Sequence, residues 1–108
     1  MKNRYIPRQP KYHNRKTELD GITFDSQAEA RRYRELQSLQ KAGEIQWFSR
    51  QPSFLLPGDI RYRPDFIVCG RQGEIYVEDV KGFETPEFKL KRKLWDATFP
   101  GFPLKIVR

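Results

Sequence analysis

Hydrophobic residues fall on both alternate sets of positions in Ile75-Tyr76-Val77-Glu78-Asp79-Val80-Lys81, a run bounded by Gly73 and Gly82. Such a run reads as a strand, in which successive side chains point to opposite faces. Ile75, Val77, Asp79 and Lys81 then share one face, and Tyr76, Glu78 and Val80 the other. Apolar residues on both faces predict a central strand with cover on each side. The first face ends in a carboxylate and an ammonium two residues apart, an expensive arrangement where a core is about to end unless the charges have a chemical use.

Upstream, Tyr62 to Cys69 reads as a second strand, with Asp65, Ile67 and Cys69 on one face and Phe66 and Val68 on the other. A three-residue loop, Arg71-Gln72-Gly73, with Gly73 left-handed in a bulge, would pair Gly70 with Glu74 and Asp65 with Asp79. A slip of one residue would pair Asp65 with Glu78 and send Asp79 to the opposite face. Glycine at the position that needs a positive φ favours the first register.

Helical spacing occurs twice. Ser26-Gln27-Ala28-Glu29 matches a capping box and opens a helix from about Gln27 to Ala42, stopped by Gly43. Glu29, Tyr33, Leu36 and Gln40 follow one face, with Leu39 beside them, while Arg31, Arg32, Arg34, Glu35 and Lys41 lie mostly elsewhere. Glu29 is therefore either a cap or the end of an inward-facing stripe. Thr85-Pro86-Glu87 has the order N-cap, N1 proline, acidic first turn, and predicts a helix to Ala97 or Thr98. Its apolar face, Phe88, Leu94 and Trp95, includes Lys91, which either snorkels to the surface or contacts a phosphate or metal site. Ile22-Thr23-Phe24 is a short extended piece after an Asp20-Gly21 turn. Glu44 to Leu56 reads as one long bent strand, interrupted at Gln51-Pro52 by a bulge or edge position. Pro103 to Val107 is a final strand.

The 108 residues fit one domain, 37% apolar and so with a single small core. The net charge of +7 changes the picture more. Residues 1–18 hold six basic residues (Lys2, Arg4, Arg8, Lys11, Arg15 and Lys16) against Glu18 alone, and so carry most of it. They read as a flexible basic arm lying along phosphates, or as a solvated terminus, ahead of a domain at 19–108. Nucleic acid, DNA in particular, is the expected partner. No apolar run approaches the roughly 18 residues of a membrane span, and no membrane partner is expected. One Cys and one His exclude a disulfide framework and a Cys/His zinc site, leaving a cytoplasmic setting as the default.

Two opposed aspartates beside a lysine suit a divalent cation, Mg2+ or Mn2+, that also binds substrate phosphate. Lysine there can orient or help deprotonate a water and offset phosphate charge. Metal-assisted phosphodiester hydrolysis is the natural reaction class; an ordinary charge pair at a strand end is the alternative.

Pro64-Asp65, about a dozen residues, then Asp79-Val80-Lys81, preceded by a helix bearing Glu29, resembles the PD-(D/E)XK nuclease superfamily. Lys11-Tyr12, Asp20 to Ser26, Glu29-Ala30, Tyr33, Gln51-Pro52, Tyr62 and Glu78 to Gly82 look like a short phage and prophage nuclease family, described for the most part only as a domain of unknown function. The resemblance covers about residues 11–108. It implies an α/β (α+β) fold with a restriction-endonuclease-like αβββαβ core, a mixed sheet flanked by helices. It further implies Asp65 and Asp79 as metal ligands with the Val80 carbonyl, Lys81 as the catalytic lysine, and Glu29 as a further acid of the site; Gln51 and Lys91 are weaker correspondences. The expected activity is that of a Mg2+-dependent endodeoxyribonuclease, in the host cell cytoplasm if phage-encoded. Action on branched recombination intermediates such as Holliday junctions would require a homodimer. The other reading is a non-catalytic DNA- or replisome-binding module on the same fold.

Overall fold

The computed structural model describes residues 16–108. A hairpin of β1 (Thr17–Leu19) and β2 (Ile22–Phe24) turns at Asp20-Gly21 and precedes helix α1 (Gln27–Lys41). Strand β3 (Ile45–Arg50) follows, then a second hairpin of β4 (Phe54–Leu56) and β5 (Ile60–Tyr62). Strands β6 (Phe66–Gly70) and β7 (Ile75–Val80), helix α2 (Pro86–Thr98) and strand β8 (Leu104–Val107) complete the chain. The main sheet is mixed, in the order β3-β6-β7-β8. β6 runs antiparallel to β3 and β7, whereas β8 is parallel to β7, so the connection between them must cross over, and α2 makes the crossing.

Helix starts follow the capping chemistry. The Glu29 amide donates to Ser26 Oγ at 3.1 Å, and the Phe88 amide to Thr85 Oγ1 at 3.1 Å, with Pro86 in the first turn of α2. The glutamate of the first capping box reaches one residue further back than the pattern predicts: Glu29 Oε1 accepts from the Asp25 amide at 3.3 Å.

Two of the sequence-derived strands are each divided. The stretch from Glu44 to Leu56 is not one bent strand: Gln51 takes a φ of +51°, β3 ends, and β4 leaves the main sheet to pair with β5. Likewise Tyr62 to Cys69 is not continuous, because Arg63-Pro64-Asp65 separates β5 from β6. Proline cannot donate to a ladder, and both prolines fall where pairing stops.

A core lies on each face of the sheet. Leu36, Ile45, Phe66 and Val68 pack beneath α1, joined by Tyr33, Leu39, Phe48, Tyr76 and Val80. Leu56, Tyr62, Val77, Phe88 and Trp95 pack beneath α2. Trp95 is the hub of the second core, its centroid 4.7 Å from those of Phe54 and Phe99, and its indole N–H donates to the Phe102 carbonyl at 2.6 Å. β7 is thus the covered central strand that its sequence predicts.

The α1 face also holds a buried ion pair. Glu78 is 2% exposed and accepts from Arg32 Nε at 2.8 Å and Nη2 at 2.6 Å. Arg32, which the helix spacing set apart from the inward stripe, therefore points to the sheet, and Glu78 holds its guanidinium in the charged form, above its usual pKa. Bidentate geometry satisfies both carboxylate oxygens, which a buried charge requires. Arg32→Ala strands that charge and is expected to destabilise the domain by about 3–5 kcal/mol, whereas Arg32→Met with Glu78→Leu should cost far less. Urea denaturation of the three proteins checks this; equal losses would show that the pair does not act as a unit.

Candidate active site

The β6–β7 loop sets the geometry. Gly73 has a φ of +88°, its amide donates to the Gly70 carbonyl at 3.1 Å, and the Gly70 amide donates to the Glu74 carbonyl at 2.7 Å. Phe66 then faces Glu78 and Ile67 faces Val77, so one further step sets Asp65 opposite Asp79. This is the register that the glycine predicts. The neighbours Glu78 and Asp79 part company: Glu78 turns to α1 and Arg32, Asp79 to the other face.

Asp65 sits at the break before β6, tied on both sides. Its carbonyl accepts from the Gln51 amide at 2.9 Å, and its Oδ2 accepts from the Val80 amide at 2.7 Å. Its carboxyl lies within hydrogen-bonding reach of both Glu29 and Asp79. Burial, then hydrogen bonding to Glu29 and Asp79, push the Asp65 pKa up to about 10, so that this carboxyl is neutral at physiological pH. Asp79 is 3% exposed and accepts a short hydrogen bond from the Tyr62 hydroxyl. Burial and the Asp79 charge hold that phenol well above its usual pKa and so keep it a donor. The Lys81 ammonium lies 3.5 Å from Asp79 Oδ1 and 4.8 Å from the Phe88 ring centroid. Glu29 is 7% exposed at the start of α1, so it both caps its helix and faces the aspartates.

The four residues Glu29, Asp65, Asp79 and Lys81 are therefore brought to one place. Val80, the further position, lines the same cleft as Glu29 and Asp65. That cleft, of about 700 Å³, runs toward the start of α1 and Phe83. A second, of about 640 Å³, runs toward the β4–β5 hairpin and includes Gln51, Asp79 and Lys91. Asp65, Lys81 and Thr85 line both. Lys91 does not lie flat against the apolar face of α2: its ammonium reaches to 6.0 Å from the Tyr62 ring centroid and 3.8 Å from Glu87. Lys16 bonds Asp25 at 3.3 Å, on the surface. The other basic residues of the arm, Lys2, Arg4, Arg8, Lys11 and Arg15, lie outside the described residues.

Among the described residues, no group of three or more His, Cys, Asp or Glu side chains stands in a metal-binding arrangement. One oxygen each of Glu29, Asp65 and Asp79 accepts a hydrogen bond, from Asp25, Val80 and Tyr62 respectively. The chemistry of the set nonetheless fits a hard cation. Asp65, where the two clefts meet, lies between Glu29 and Asp79, and burial together with these two acids holds it protonated, a cost that a divalent ion in their midst would relieve.

Sequence reasoning missed Tyr62 as the residue that holds Asp79, and Arg32 as the partner of Glu78. The first signal was faint, an aromatic two residues before Pro64. The second was no stronger: Arg32 follows Glu29 by three positions and so lies on its side of α1, but within a run of arginines.

The loop after Lys81 is itself braced. The Lys81 amide donates to the Val107 carbonyl at 2.9 Å, and Arg108 donates to the Lys81 carbonyl at 3.2 Å and to Glu84 at 2.8 Å. Arg92 also reaches Glu84, at 3.1 Å. Arg108 and Arg92 hold the Glu84 carboxyl below the usual carboxylate range.

Because the folded state keeps a proton on Asp65 that the unfolded chain gives up near pH 4, its contribution opposes folding as pH rises from about 4 to about 10. Asp65→Asn, whose amide oxygen can still accept from Val80, should raise the metal-free Tm at pH 8. At pH 4 it should have little effect. A gain of at least about 1 kcal/mol, roughly 4–8 °C for a domain of this size, is expected by thermal denaturation in EDTA. A fall in Tm at pH 8 would contradict the carboxyl cluster.

No helix among the described residues is long and apolar enough to cross a membrane. Comparison with curated proteins and with solved structures returned no match. A family model does match, over residues 9–108, and it spans the first hairpin, the whole main sheet and every residue of the carboxylate cleft. On that match the chain belongs to the family described as Protein of unknown function (DUF1064).

Proposed function

We propose that the protein is a metal-dependent endodeoxyribonuclease of the PD-(D/E)XK type. The observation that carries this reading is the meeting of Asp65 and Asp79, opposed across the β6–β7 hairpin, with Glu29 from α1 and Lys81 one residue beyond β7. The element order supports it. With the two small hairpins set aside, α1, β3, β6, β7, α2 and β8 follow the αβββαβ sequence of that superfamily's core.

Asp65, Asp79 and Glu29 would hold Mg2+ or Mn2+, with the Val80 carbonyl as a further oxygen donor. The bound cation would supply Lewis acidity toward a phosphoryl oxygen and acidify water. Asp79 is kept in position by the Tyr62 hydroxyl, and its second oxygen faces Lys81. The Lys81 ammonium, beside the acids and against the Phe88 ring, is placed to orient an attacking water and to offset charge on the phosphate. Its backbone is fixed by Val107 and Arg108, so the positioning does not depend on a mobile loop. A DNA strand is the fitting substrate for a chain of net charge +7. Cutting both arms of a four-way junction would take two copies.

The experiment is cleavage of labelled linear, flap and four-way DNA with Mg2+, Mn2+ or EDTA. The parent should cut with either metal and not with EDTA. Asp79→Asn and Lys81→Met should each lose roughly a hundredfold or more, within the range for electrostatic and acid–base groups. Undiminished cutting by Asp79→Asn would sink the catalytic reading. DNA binding by the parent without cutting under any metal would make the protein a binding module instead.

A further inference from the structure

The two clefts that meet at Asp65, Lys81 and Thr85 differ in character. The one beneath the β4–β5 hairpin is cationic. Arg61, Arg63 and Lys91 line it together with Lys81, and only Glu87 is acidic there apart from the two site aspartates. Arg61 is held in place by Ser53 Oγ at 3.1 Å across the hairpin. Hydrogen-bond donors aimed into a groove that ends at a carboxylate centre suit the phosphates of a chain leading to that centre.

The other cleft carries an aromatic ring. Phe83 is 54% exposed and lines it within two residues of Lys81. Single exposed apolar residues are ordinary on protein surfaces. Leu55 and Leu90 are exposed to the same extent, but neither lines these clefts. Phe83, by contrast, stands in a polar cleft, between residues that are fixed on both sides. Lys81 is tied to Val107 and Arg108, Glu84 to Arg92 and Arg108, and Thr85 caps α2. A ring on such a support can stack on a nucleobase with little ordering cost, and stacking tolerates any base.

We propose that one DNA strand runs through both clefts, its backbone held by Arg61, Arg63 and Lys91 on one side of the carboxylates and an unpaired base stacked on Phe83 on the other. The preferred substrate is then DNA with an unpaired segment at the cutting point, a single strand, flap or branch, rather than blunt duplex. This rests on the nuclease reading of the site, but its test does not require cutting.

The test is fluorescence anisotropy in EDTA, with a labelled single strand, a flap and a blunt duplex of equal length. The parent should bind the single strand and flap roughly tenfold or more tightly than the duplex. Phe83→Ala should erase most of that preference, given the usual worth of one stacked base, and Phe83→Trp should restore it. Arg61→Ala with Arg63→Ala should weaken binding to all three and flatten the dependence of log K on log salt by about one to two units. Since these side chains are exposed or on the cleft wall, circular dichroism should show unaltered folding. Equal binding of duplex and single strand by the parent, or an unchanged preference in Phe83→Ala, would overturn the proposal. Failure of the parent to cut any DNA with Mg2+ would count against hydrolysis alone and leave the strand path to be judged by binding.

Discussion

The pairing of β6 with β7 fixes which charges meet. Side chains alternate across a strand, so a shift of one residue would exchange Glu78 and Asp79. Glu78 would then face Asp65, and Asp79 would be pressed beneath α1 against Arg32. One loop residue, Gly73 at a φ of +88°, and its bond to Gly70 stand between these arrangements. The Glu74 carboxylate adds support by accepting from the Gln72 amide at 3.0 Å.

With the register set, two adjacent acids meet opposite fates. Glu78 finds a guanidinium that satisfies both of its oxygens, and the result is a tie between α1 and the sheet. Asp79 finds a phenol, an ammonium and another carboxyl. The first set is electrically complete. The second is not, since burial and the nearness of the other acids leave Asp65 with its proton. Structure and chemistry are thus separated onto the two faces of a single strand, and the ion pair holds the helix that carries Glu29 over the incomplete set.

Much of this was legible in the residues. The caps at Ser26 and Thr85, the helix ends, the hairpin register and the opposed faces of β7 follow from local chemistry, where a single side chain or glycine decides the outcome. What was not legible depends on contacts distant in sequence. Gln51-Pro52 and Arg63-Pro64 announce breaks, but nothing local says that the segments between them leave the sheet as a hairpin, because that is decided by Phe54, Leu56, Ile60 and Tyr62 packing with the α2 core. Tyr62 reaches Asp79 only as a result of that excursion. Arg32 is polar and sits in a run of arginines, so its inward turn shows only once Glu78 is beneath it.

The bracing of the Lys81 loop has a consequence for how the protein is made. The β6–β7 hairpin needs only a three-residue loop and can close early, as soon as both strands have left the ribosome. The bonds that fix Lys81 and the loop beyond it come from Val107 and Arg108, which follow only after α2. A nascent chain therefore assembles its acids before it secures its lysine. A chain cut back before β8 would keep the acid pair but lose the braces on the cation beside it, so the site is complete only once the parallel strand is paired.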